Sequence, residues 1–189
     1  MLLRDYSPEQ QKENEQLLRD SVAALPFTLA YPVSQASQSI KEQRYGAAMN
    51  HLLDFLEIST QYVSLLMLVM LKQQGAHTAL QAVVSKIDTK RPLSFGDWLN
   101  DLFTPLLLSA GELLPAHPLA ASLNRCLMQK RRNLLLGGKN EAGVVQIRNE
   151  YRGHSTTLSE AIYRDVCYTL EPHILRLLQA LQPLTGYRA

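Results

Sequence analysis

Cysteine is scarce in this chain. Cys126 and Cys167 are the only two, lie far apart and match no metal-ligand spacing. They read as small apolar core residues of a reducing compartment rather than as a zinc site or a disulfide framework. Excess charge of one sign is missing too. Nineteen Lys and Arg against seventeen Asp and Glu leave a net charge of +2, too small to mark a nucleic-acid binder by itself, although a local basic patch fits within it. Long hydrophobic runs are absent as well. The start, Met1-Leu2-Leu3-Arg4-Asp5, has no apolar core of a secretion signal. The longest apolar stretch, Val63 to Leu71, spans nine residues and includes Ser64, whereas a membrane helix needs about 20. These absences predict a cytoplasmic protein without a membrane segment.

Familiar chemical motifs are equally thin. His51, His77, His117 and His173 are scattered without metal-ligand spacing, and no serine sits in an elbow or triad context. Gly137-Gly138-Lys139-Asn140 lacks the spacing and the hydroxyl residue of a phosphate loop. No metal or cofactor is therefore expected.

Apolar residues at 46% and charged residues at 19% of 189 describe one globular domain able to bury a core. Strand signals are nearly absent, so the expectation is all-α, an antiparallel helical bundle. Ser7-Pro8 opens a polar first helix to about Leu25. Pro26 to Ser34, with two prolines, reads as a connector, followed by a short helix over Gln35–Arg44. Tyr45 to Gln74 is the longest helix. Leu52, Leu56, Ser59, Val63, Leu66 and Met70 make a packing seam, and past Val63 the apolar surface nearly encircles the helix. That end should be central in a bundle or covered in a dimer.

Helices are expected over His77–Ile87, from a capping box at Ser94 and Asp97 to about Ser109 with a kink at Pro105, and over Leu119–Leu136. Gly111–Pro118 reads as a loop, and Gly137-Gly138 as the stop after the third of these helices. A further helix capped by Asn140 should end at Gly153. A capping box at Thr157 and Glu160 should open the last helix, running to about Leu181 with a kink at Pro172.

The candidate site is Arg148-Asn149-Glu150-Tyr151-Arg152-Gly153-His154, where one predicted helix ends and the next begins. Arginine holds phosphate through paired hydrogen bonds, and histidine moves a proton near neutral pH. On a helical wheel Val144, Ile147 and Tyr151 form the inward stripe, and Arg148 falls about 40° from Val144. An inward cation needs a partner or a cleft. If the helix continued, His154 would lie about 9 Å along from Arg148, but a left-handed Gly153 could fold it back. The structural alternative is an ion pair between Arg148 and Asp165, which the pattern puts on the inward stripe of the last helix. Lys130-Arg131-Arg132 is the densest basic cluster and, with Arg152, a candidate for RNA backbone contact. It lacks interleaved aromatics, and a solvated helix end is its bland reading.

Arg148-Asn149-x-x-x-x-His154, before the last long helix of an all-α chain, resembles the signature of the HEPN superfamily. The resemblance covers Tyr45 to Leu181, which suggests an N-terminal helical extension over 1–44 and a HEPN-like bundle with its C-terminal helix pair over 45–189, within one compact domain. It implies a homodimer with motifs face to face and a metal-independent endoribonuclease of a defence or toxin–antitoxin setting. Its partners would be RNA and a protein such as an antitoxin. Arg148 would neutralise the scissile phosphate, His154 would act as general acid or base, and Asn149 would orient either one. The tyrosine found two residues after the histidine in one toxin branch is missing, because Ser155-Thr156 follows His154. Many HEPN domains are non-catalytic partner or sensor modules, so the alternative is a helical dimerisation or regulatory module, such as a part of a larger protein.

Overall fold

The computed structural model describes residues 2–85, 87, 91–138, 142–152 and 158–186. The described fold is all-α, with one short two-stranded hairpin.

Helix α1 (Pro8–Ala24) starts as expected. The Ser7 side chain accepts from the Gln10 N–H, and the Gln10 side chain accepts from the Ser7 N–H. It buries little beyond Leu18 and Ser21. The connector expected at Pro26–Ser34 is instead helix. Helix α2 runs unbroken over Phe27–Lys41 with Pro32 inside it. A proline inside a helix costs about 3 kcal/mol. Leu29 and Val33 are buried against the core, and each such aliphatic side chain returns about 1.5–3 kcal/mol. Tertiary burial outweighs the local break.

Helix α3 (Tyr45–Gln73) is the spine. It packs most extensively on α2 and on the last helix. Its most apolar eighteen-residue stretch has mean hydropathy 1.5, enough by length and composition for a membrane helix. That stretch is 50% buried inside the bundle, as a core helix would be. Leu18, Leu25, Leu29 and Val33 share one core with Phe55, Leu106 and Leu178, so residues on both sides of position 44 build the same interior.

Helix α4 covers His77–Val84, three residues shorter than expected. The capping box at Ser94 and Asp97 forms and opens α5 (Phe95–Asp97). Arg91 adds two hydrogen bonds to the Asp97 carboxylate, at 2.7 and 3.0 Å. The expected kink near Pro105 takes the form of a π-turn over Trp98–Phe103, leading into α6 (Thr104–Leu113). Part of the expected Gly111–Pro118 loop is thus helical. A Cβ on Gly111 would lie 2.4 Å from the Asn124 amide, which explains the glycine there.

The helix expected over Leu119–Leu136 ends early. Helix α7 is Pro118–Leu127. A hairpin of β1 (Met128–Gln129) and β2 (Arg132–Asn133) follows, turning on Lys130 and Arg131 at φ 47° and 64°. Buried Asn133 holds it in place, donating to Thr104 Oγ1 at 2.9 Å while that hydroxyl donates to the Leu99 carbonyl at 2.7 Å. Helix α8 is Val144–Arg152 and α9 is Glu160–Leu181, with Pro172 inside α9. The expected caps Asn140 and Thr157 lie outside the described residues. The α9 cap is Ser159, which accepts from the Ile162 N–H. The Glu160 carboxylate serves a second helix, accepting from the Tyr45 and Gly46 N–H groups at the start of α3. Arg44, the residue in the capping position there, makes no side-chain cap.

Two turns around α3 have the same hydrogen-bond pattern. After α2, Arg44 N–H donates to Ser39 and Gln43 N–H to Ile40; after α3, Ala76 donates to Leu71 and Gly75 to Lys72. Both need a left-handed residue, and it is Gln43 (φ 57°) in one and Gly75 (φ 74°) in the other. Gln43→Gly should therefore raise unfolding free energy by about 0.5–1 kcal/mol and Gly75→Ala should lower it by about 1 kcal/mol. Urea melts of the two variants check both signs.

Cys167 is buried, and its thiol is pushed up to about 12, first by burial and then by the Glu160 charge. Unfolded thiols ionise near pH 8.5. Between there and about pH 12 the unfolded state loses a proton that the folded state keeps, so Cys167 makes stability fall as pH rises. At pH 8, alkylation of native protein should label the more accessible Cys126 and reach Cys167 only after unfolding.

Candidate functional site

Helix α8 buries Val144 and Ile147, fixing which way the rest of it faces. Arg148 and Arg152, one turn apart, then meet Asp54 and Glu57, three apart on α3. Such spacings line residues up on one helix face. Arg152 Nη2 lies 2.7 Å from Asp54 Oδ1, and Nη1 lies 3.8 Å from Glu57 Oε2. Arg148 Nε lies 3.9 Å from the same Glu57 oxygen. Two cations and two carboxylates thus form one patch, partly shielded, with arginine side chains 34% and 35% exposed. A matched patch does not present the positive field expected of a nucleic-acid groove.

The four groups are not equally satisfied. Arg152 makes a full charge-assisted hydrogen bond to Asp54. Arg148 has only a 3.4 Å contact from Nη1 to the Asn149 side-chain oxygen, and its Nε is buried without a hydrogen-bond partner. A guanidinium carries five donors, so Arg148 retains capacity for a further acceptor. Asn149 is exposed beside it.

The expected pair between Arg148 and Asp165 is not the one formed. Asp165 is exposed and lies across α8 from the arginines, in a cleft of about 320 Å³ lined by Ile147, Glu150, Tyr151, Ile162, Asp165 and Val166. Burial, Glu150 and Asp165 hold the Tyr151 phenol above its ordinary range. The wheel gave Arg148 an inward direction, but inward means towards two neighbours, and periodicity cannot choose α3 over α9. His154 lies outside the described residues.

The basic cluster sits at the hairpin tip rather than at a helix end. Arg131 pairs with Glu112 on α6 at 2.8 Å, both largely exposed, so the pair adds little to stability. No hydrogen bond or ion pair joins Lys130, Arg131 or Arg132 to α8 among the described residues.

Asp54 and Glu57 are the site residues that sequence reasoning missed. Their signal was present, since two acids interrupt an otherwise apolar helix at same-face spacing. A second cleft, of about 370 Å³, is more apolar and is lined by Pro26, Tyr62, Leu66, Val69, Met70 and His117. Beside it Leu65 and Val69 are 54% and 53% exposed.

Compared with protein-family models, with curated proteins and with solved structures, the chain gives no significant match.

Removing the Glu57 charge leaves Arg148 half-buried and unpaired, whereas Asp165 is solvated. Glu57→Gln should cost about 1 kcal/mol and Asp165→Asn less than about 0.5 kcal/mol, a ranking that denaturant titration reads directly.

Proposed function

We propose that the chain is a HEPN-like helical domain that works as an association or regulatory module, with a second copy of itself as partner. The observation that carries this reading is the pairing of Arg148 and Arg152 with Asp54 and Glu57. Charges already matched inside the fold clamp α8 onto α3 and are poorly placed to build up positive potential for an RNA backbone. Leu65 and Val69, one turn apart on α3, give the module an apolar surface to cover. They lie on the same side of α3 as Asp54, about 16 Å further along.

The second reading is RNA binding with metal-independent cleavage. What favours it is the unbonded Arg148 Nε beside exposed Asn149, where a phosphate oxygen would find donors. In that reading Arg148 holds the phosphate, His154 moves the proton, Asn149 orients, and Arg152 with Lys130, Arg131 and Arg132 contacts the backbone. A defence or stress setting in the cytoplasm belongs to the resemblance.

Light scattering and a cleavage assay separate the two. The association reading expects a dimer that Leu65→Glu with Val69→Glu converts to folded monomer, and no cutting of mixed RNA in EDTA. A monomeric wild type contradicts it. RNA cutting that disappears in both His154→Ala and Arg148→Ala, with unchanged melting, establishes the nuclease instead.

A further inference from the structure

Helix α9 is interrupted chemically at its middle. Pro172 has no N–H, so the Tyr168 carbonyl four residues earlier loses its ladder partner. Arg4 supplies the missing donor. Its Nε donates to the Tyr168 carbonyl at 3.0 Å, and its guanidinium lies 4.5 Å from the centre of the Tyr168 ring. The residue beside the break, Glu171, is 2% exposed. A buried carboxylate is costly unless fully hydrogen-bonded, and here every printed donor comes from the chain start: the Leu3 and Arg4 N–H groups and the Tyr6 hydroxyl, the last at 2.7 Å. Residues 3–6 thus bridge both sides of the proline.

The two halves of α9 serve different parts of the molecule. Beyond the proline, Ile174, Leu177, Leu178 and Leu181 are wholly buried in the core. Before it, Glu160 caps α3, while Ile162 and Val166 line the cleft against α8. The first half therefore supports the helix that carries Arg148 and Arg152.

We propose that residues 2–6 are a strap that fixes α9 at Pro172 and, through the first half of α9, fixes α8 on α3. With the strap engaged the arginine–carboxylate patch is held closed. With it released, the Tyr168 carbonyl and the Glu171 carboxylate both lose partners, and the first half of α9 moves together with α8 while the second half stays in the core. The strap is a conformational control on the candidate site that needs no residue of that site.

Hydrogen exchange of the full chain, read by mass spectrometry, tests this. Arg4→Ala should speed exchange about tenfold across 160–171 and 144–152, the scale of one lost hydrogen bond to a charged group. Residues 173–181 should change less than about twofold. Tyr6→Phe, which removes one hydroxyl, should act on the same segments more weakly. Pro172→Ala restores the N–H that the Tyr168 carbonyl lacks, so in that background Arg4→Ala should lose most of its effect. A uniform rise over all helices, no rise over 144–152, or an equal Arg4→Ala effect with and without Pro172 would overturn the strap.

Discussion

Helix α3 buries Leu52, Phe55, Leu56, Thr60, Val63 and Met67, and at roughly 100° per residue the buried arc covers about half its circumference. A helix so buried cannot be satisfied by one neighbour. The rest of the chain supplies the others. Helix α2 folds back onto it through the left-handed Gln43, α9 crosses near its start, and the segment running through the π-turn into α6 covers it further along. The close approach of α9 is visible at Gly46, where a Cβ would come within 3.2 Å of the Tyr163 ring. The same contact lets Glu160 satisfy the first N–H groups of α3, which its own sequence leaves uncapped.

On this spine the polar edge is where function is to be sought. Asp54 and Glu57 face outward enough to take up the arginines of α8, and the cost of holding cations there is met by matched charge at short range. The result is a rigid patch with one unfilled donor, Arg148 Nε. A nuclease needs the reverse balance, with positive charge free to strengthen as negative charge develops on a phosphate. The geometry therefore favours a fastening role for these arginines over a catalytic one.

Local signals were legible where one element decided the outcome. Ser7 with Gln10 and Ser94 with Asp97 cap as their spacing requires, and the seam of α3 is buried where its apolar periodicity indicates. The misses share a cause, which is tertiary context. Pro32 stays within a helix because Leu29 and Val33 are buried against the core. The helix expected through Lys130 breaks because Asn133 is drawn to Thr104, 29 residues away. Arg148 turns to Glu57 rather than Asp165 because two helices compete for the same inward face. The Glu171 cluster had no sequence signal, since its partners lie over 160 residues apart.

The account turns on whether the motif arginines fasten α8 to α3. Double-mutant cycles by denaturant unfolding measure that directly, pairing Arg152→Ala with Asp54→Ala and Arg148→Ala with Glu57→Ala. The account predicts favourable coupling of about 1 kcal/mol between Arg152 and Asp54 and a smaller coupling of the same sign between Arg148 and Glu57. Additive effects in both cycles, with no loss of stability on removing either arginine, would contradict it.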